Sequence, residues 1–484
     1  MEPRTKRQSM RPQFEAGNDA RLALSRSAMQ GYLSYVEEVE TLVRRTLRAP
    51  CSAATNSRII ASLNGRAAAV LRTEIPLRTR RRYGAFFTGS ELSARAVAPL
   101  ANTLASGARC LDPACGAGDL LLACVQHAPL GRDLDSTLRL WSDLLSGFDI
   151  HPEFIRAARS RLILAALTRR QWRKPASARP DQLFQRVMVG DALRATGVYG
   201  QSNVIVVNPP FFATAAPAGC SWSSGRVSMA AVFAEHCAMN ASAGTDMLAI
   251  LPDVLRAGAR YRKWQQVISA RARIGQIQTF GRFDEWTDVN VFSVMLRVGS
   301  ATGGEGVGWH SHPSTSQRGG TVGDRFAVRV GPVVDYREPH RGPACPYFDT
   351  NSLPRWGMVR NASKLRRFSG KLLRPPFVAV RRNSRPDDSH RAVPTVVRGN
   401  SPVAVENHLL VLTPLDRSMG SCLALVRQLR TSRTDAWLNQ RIRCRHLTVE
   451  AVRELPLTPF RRIRCTPVSR SGQARSHRSS HCTG

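Results

Sequence analysis

The sequence predicts an α/β protein, a parallel sheet covered by helices on both faces, followed by a smaller α+β domain. Three observations predict it. Between about residues 76 and 300, short β-branched or apolar runs alternate with helical stretches, which is the rhythm of βαβ units. Acids, paired glycines and an Asn-Pro-Pro turn fall just past the ends of those runs, where open α/β sheets bind ligands. From about residue 300 the texture changes to a Gly/Ser/Thr-rich stretch and then to short strands with many prolines and arginines.

Residues 1–75 read as a helical N-terminal segment, with "MQGYLSYVEEVETLVRRTL" carrying apolar residues at helical spacing. In the 76–300 domain the strands are expected at "RCLDPA", "LSGFDI", "RVMVGDAL", "NVIVVNPP", "DMLAILPD", "IGQIQTF" and "VNVFSVMLRV". Only "GRFDEWTD" separates the last two, too little for a helical crossover, so the final strand is expected to run antiparallel as a hairpin. Residues 301–322 read as a linker or loop. Residues 323–460 read as the α+β domain, with a helical stretch at 419–441. The basic tail 461–484 lacks aliphatic periodicity and is expected to be disordered.

The 484 residues allow two or three cores, and a hydrophobic content of 43% is that of a folded chain. No apolar run is long enough to span a bilayer, and the polar N-terminus has no secretory h-region, so a cytoplasmic location with no membrane partner is expected. With 70 Lys+Arg against 35 Asp+Glu, the net charge of +35 is a field that attracts polyanions. The eleven cysteines form no C-x-x-C pair and have no histidine at zinc spacing, so neither disulfides nor a metal is expected.

In "CLDPACGAGDLLLA" a strand ends at Asp112, and Ala114, Cys115, Gly116 and Gly118 make a tight turn into an apolar helix. The dinucleotide pattern G-x-G-x-x-G is not completed, since position 121 is Leu. An acid ahead of the glycines repels a pyrophosphate and welcomes a cationic amino-acid head group, which favours S-adenosylmethionine over NAD. Asp149, ending "LSGFD", is placed to take ribose hydroxyls, and Asp191 in "VGDAL" lies where an acceptor can meet an adenine amino group. Each acid alone reads equally well as a helix cap. The order acid-G-x-G, acid, acid, N-P-P-F, each at a strand's carboxyl end, is what favours the functional reading. In "NVIVVNPPFF", Pro209 and Pro210 fix a stiff corner after a fully buried strand. That corner presents the Asn208 amide, the Pro209 carbonyl and the Phe211 ring together, a set suited to a flat ring bearing an amine.

This set resembles the N6-adenine DNA methyltransferases of the gamma order, of the restriction-modification type, in which cofactor motifs and a catalytic N-P-P-[YF] precede a C-terminal target-recognition domain. The resemblance covers about 80–300 and is looser beyond. It implies a Rossmann-like methyltransferase core using S-adenosyl-L-methionine, double-stranded DNA as substrate, and a restriction or specificity subunit as a possible partner. "RRYGAFFTGSELS" looks like the family's first cofactor motif, in which Thr88 would hold the methionine carboxylate beside a helix starting near Ser90. "ENHLLVLTP" and "WLNQRIRCRHLTVEAVRELPL" are similar to recognition regions. Two departures stand out: Phe211 occupies a position that is Tyr in many relatives, and the N-terminal segment is short beside that of type I modification subunits.

The resemblance implies that Asn208 and the Pro209 carbonyl accept both hydrogens of adenine N6 while Phe211 stacks on a base flipped out of the duplex. Phe283 is the candidate for a second aromatic wall, with Trp286 next; a plain core position is the other reading of Phe283. A protein-glutamine N-methyltransferase and a catalytically silent DNA-binding specificity subunit are the competing functions. The first needs no large basic C-terminal domain, and intact Asp112, Gly116 and Asn208 argue against the second. No convincing P-D-x-n-[DE]-x-K nuclease site is present.

Overall fold

The computed structural model describes Leu24 and residues 29–48, 53–170, 172, 176–283, 289–299, 308–309, 320–335, 337 and 339–457. Trp286, most of the 301–322 linker, the 461–484 tail and residues 1–23 of the N-terminal segment lie outside the described residues. All seven strands expected in the first domain form, as β1 (Cys110–Asp112), β2 (Leu145–Asp149), β3 (Val187–Val189), β4 (Val204–Val207), β5 (Asp246–Pro252), β6 (Ala272–Arg282) and β7 (Asn290–Val298). They make one sheet in the order β3-β2-β1-β4-β5-β7-β6. The first five are parallel. The last strand, β7, runs antiparallel to both neighbours and inserts between β5 and β6. The strand order reverses between β1 and β4, so the crevice at their carboxyl ends is the topological switch point of the sheet.

Both faces of the sheet are covered, which is why "VIVV" is apolar throughout. Val204 and Val206 of β4 belong to the core on one face, and Ile205 and Val207 to the core on the other. The first face is covered by helices that include Gln30–Arg48, Asp119–Val125 and Pro152–Thr168, the second by Met229–Asn240 and Arg262–Arg271. Gln30–Arg48 buries Tyr32, Val36, Val39 and Val43 at helical spacing, and these side chains join the same core as β4. The segment before residue 76 therefore shares a continuous hydrophobic core with the sheet.

The C-terminal region is α+β. Strands Phe326–Val330, Leu409–Pro414, Phe377–Arg381, Pro394–Val397 and Met358–Val359 form a five-stranded sheet in that order, beside a three-stranded sheet of Lys364–Arg367, Ala344–Phe348 and Ala404–Val405. The helical stretch expected at 419–441 is two helices, Met419–Leu429 and Ser432–Arg441. The break is set by Thr431, whose side chain accepts from the Thr434 N–H and caps the second helix.

The two regions meet at the carboxyl end of β5. Asp253 and Arg256 form a buried ion pair at 2.7 Å. Asp253 Oδ2 also accepts from the Arg443 backbone N–H at 2.8 Å, Arg256 Nη1 donates to the Gln440 carbonyl at 3.3 Å, and Asn290 Nδ2 donates to the Arg443 carbonyl at 2.5 Å.

Candidate active site

Past β4 the chain turns through Asn208, Pro209 and Pro210 at the switch point. The Asn208 Nδ2 amide donates to Thr88 Oγ1 at 2.9 Å. Its Oδ1 is buried and has no hydrogen-bond partner among the described residues. A buried acceptor without a donor costs about 1–3 kcal/mol, and no described residue supplies one here. Pro209 is buried, and Pro210 packs so tightly against the preceding loop that a Cβ on Gly84 would lie 2.4 Å from its own Cβ. Gly84 has φ +66, so both its backbone and its neighbour require glycine there.

The glycine turn after β1 is equally constrained. Gly116 has φ +51, and a Cβ on it would meet the Phe87 ring at 2.9 Å; Gly118 has φ +86 and faces the Ala158 Cβ at 3.1 Å. Cys115 is buried; its N–H donates to the Phe148 carbonyl and its own carbonyl accepts from the Gly118 N–H. Asp112 is buried, and its Oδ1 accepts from the Ala114 N–H at 3.1 Å. Burial pushes its carboxyl up to about 8, with the nearby Asp149 and Asp119 carboxylates adding to the rise. Asp149 Oδ2 accepts from the Gly116 N–H at 3.1 Å, while its Oδ1 meets the backbone N–H and Nδ1 of His151 at 2.8 and 2.9 Å. His151 Nε2 accepts from the Leu24 N–H, which places the ring proton on Nδ1, toward Asp149. Asp191 accepts from the Leu193 N–H at 3.0 Å and pairs with Arg194 at 3.5 Å, so it caps its own turn as well as facing the crevice.

Two cavities flank the Asn-Pro-Pro turn. One of about 310 Å³ is lined by Ala114, Gly116, Asp149, Asp191, Asn208 and Pro210 among others, bringing together six of the residues singled out from the sequence. The second, about 390 Å³, lies between the sheet domain and the C-terminal region and is lined by Phe211, Tyr261, Asn290 and Arg445. Phe212 lines both. Asp112, Cys115, Gly118 and Thr88 stand just behind the first cavity, touching it through their hydrogen-bond partners or the backbone of the turn. Phe283 is buried and sets its ring edge-on to Phe211, centroids 5.4 Å apart, without lining either cavity.

Several site residues escaped sequence reasoning. Arg161 is fully buried: its Nη1 donates to Asp119 Oδ1 at 2.8 Å and to the Ala117 carbonyl at 2.5 Å, and its Nε donates to the Ser62 carbonyl at 2.8 Å. Asp119 Oδ2 in turn accepts from the Gly89 N–H at 2.8 Å, so this pair fastens the Thr88–Gly89 strap over the glycine turn. Phe87, Phe154, Tyr32 and His151 make an aromatic wall beneath the first cavity. Ile150 lines the same cavity with an unusually exposed apolar side chain.

No family model matches the sequence, and no curated protein matches it. Solved structures do match its fold. The type IIL restriction-modification enzyme MmeI, determined in complex with DNA, aligns with a TM-score of 0.53 at 13% identity over 80% of this chain and 70% of its own. The type IIG restriction endonuclease BpuSI aligns at 0.42 and 11% identity over 91% and 71%, and the M protein of the type I restriction enzyme EcoKI at 0.31 and 13% over 56% and 66%. At these identities the first likeness establishes a shared fold, a Rossmann-like α/β sheet domain with a C-terminal α+β region.

Proposed function

We propose that the chain transfers a methyl group from S-adenosyl-L-methionine to N6 of an adenine flipped out of double-stranded DNA, as the modification activity of a restriction-modification or related defence system. The observation that carries this reading is the Asn208 amide, fixed by Thr88 through its nitrogen and offering a buried, unpartnered oxygen at the sheet's switch point. The donor set fits the cofactor. Asp112 would face the methionine ammonium and the Thr88 hydroxyl proton its carboxylate. The Ala114–Gly118 turn would let the backbone close on it, Asp149 would take the ribose hydroxyls, and Asp191 with the apolar Ile150 would meet the adenine. When bound, the cofactor supplies an electrophilic methyl group.

Asn208 Oδ1 and the Pro209 carbonyl would accept the two N6 hydrogens out of the ring plane. That draws the amine toward sp³ and frees its lone pair for attack. Phe211, steadied edge-on by Phe283, would stack on the flipped base as it enters from the interdomain cavity. The MmeI enzyme of the same fold was determined on DNA, which supports DNA as the substrate class here.

The test is transfer of labelled methyl from S-adenosylmethionine to duplex DNA, followed by nucleoside analysis. Label in N6-methyladenine is expected. Asn208→Ala should lower the rate roughly a hundredfold or more while donor affinity stays within a few-fold. Label in another base, or only in protein, would overturn the reading.

A further inference from the structure

The C-terminal region has a concavity apart from the one beside Phe211. A cleft of about 660 Å³ opens where strand Phe377–Arg381 begins, and Arg329, Lys371, Arg374, Arg417 and Arg453 all line it. No acid is among the described residues that line it. The carboxylates nearest in sequence are engaged elsewhere: Asp324 with Thr321, Asp416 with Ser418 and Ser421, Glu450 with Arg262, and Glu454 with Arg441. Among the described residues none of the five cations has a carboxylate partner. Five like charges around one hollow repel one another, and folding alone gives no return for gathering them. Arg417 is held there at φ +51, a backbone conformation that disfavours a side chain and recurs where a residue is positioned for use.

The cleft is also remote from the methylation site. The strand that starts at its lip ends at Arg381, and two residues on Asn383 bridges to His446, next to Arg445 at the Phe211 cavity. Five extended residues span ~17 Å, or about five base-pair steps of duplex at ~3.4 Å each.

We propose that this cleft grips the phosphate backbone of DNA flanking the target, about half a helical turn or more from the modified base, and contributes affinity without reading sequence. The inference rests on the chain acting on DNA.

The experiment uses the full chain and a triple variant, Lys371→Gln, Arg374→Gln and Arg417→Gln, all at exposed positions. Binding is titrated against salt on two duplexes carrying the same methylated site, one reaching about 5 base pairs to either side and one about 15. On the long duplex the variant should bind roughly tenfold or more weaker, and its log–log salt slope should fall by about 0.9 for each phosphate no longer neutralised. On the short duplex, affinity, salt slope and methylation rate should match the parent, which also shows that the variant is folded. Unchanged behaviour on both duplexes would overturn the proposal. Equal losses on both would overturn it by placing the cleft beside the target. If the parent chain neither binds nor methylates any duplex, the DNA reading itself fails, a result distinct from the other two.

Discussion

Thr88 decides which end of the Asn208 amide faces the crevice. Its oxygen accepts from Nδ2, so Oδ1 is left to receive, and a residue that cannot accept there would let the amide turn over. Thr88→Val should therefore lower single-turnover rate by several-fold to about tenfold, the worth of roughly 0.5–1.5 kcal/mol of orientation, while Thr88→Ser restores most of it. Asp112 makes a different prediction. Its carboxyl rises from 3.8 to about 8 in the folded chain because it is buried, so its contribution to stability is full below about pH 4 and is lost as pH climbs toward 8. Near neutrality it is protonated, and a cationic head group beside it must expel that proton. Donor affinity should increase with pH up to about 8 and be weak and pH-independent in Asp112→Asn; calorimetry in buffers of different ionisation enthalpy would count the proton. The placement of Asn208, Asp149 and Asp191 around one crevice was legible because a strand's end is visible in sequence and the topology places strand ends together. Which of two adjacent phenylalanines faces which cavity was not, since Phe211 and Phe212 follow a proline corner where no period applies.

Elements hold the site through contacts that no local spacing encodes. Arg161 lies in a helix whose buried side is apolar apart from it and Ser160, and Asp119 reads as an ordinary acid in a helix's first turn; they are 42 residues apart. Their pairing secures Gly89 and hence the strap that carries Thr88. Removing one partner leaves an uncompensated buried charge, so Arg161→Met should destabilise the chain by about 3–5 kcal/mol. Arg161→Met with Asp119→Leu should cost less than the two single changes added, as measured by urea unfolding. The sheet itself was largely readable, including the antiparallel last strand. Its place between β5 and β6 was not, because a hairpin fixes its own register and not which arm meets the sheet. Burial decides it: β7 buries six of nine residues, whereas β6 carries Gln276, Gln278 and Thr279 and is left at the edge.

At the scale of the molecule, the C-terminal region is proposed to choose the sequence that is methylated. Arg381, Arg382, Arg385, Arg441, Arg443 and Arg445 are its candidate readers of guanine edges. Arg441 and Arg381 already have internal work: Arg441 pairs with Glu454, and Arg381 donates to the Thr350 and Leu353 carbonyls. Arg445 lines the interdomain cavity. Exchanging residues 323–457 for the equivalent part of a relative with another specificity should move the methylated motif with the transplanted part, as read by methylation-sensitive sequencing. An active chimera that keeps the original motif would place recognition elsewhere. The joint at β5 bears on whether such an exchange can succeed. On the sheet side its buried part is made by the side chains of Asp253, Arg256 and Asn290, which on the other side touch mostly main-chain atoms, the carbonyl of Gln440 and the N–H and carbonyl of Arg443, together with the Cys444 thiol; the ion pairs Arg262–Glu450 and Arg282–Asp387 add side-chain contacts around it. Main-chain atoms are the same whatever residue carries them. The seat therefore imposes a path on the incoming chain and asks for few particular residues, Cys444, Glu450 and Asp387 among them, so under the proposed division of labour a recognition region that keeps those few could diverge elsewhere while the sheet domain goes on holding it in place.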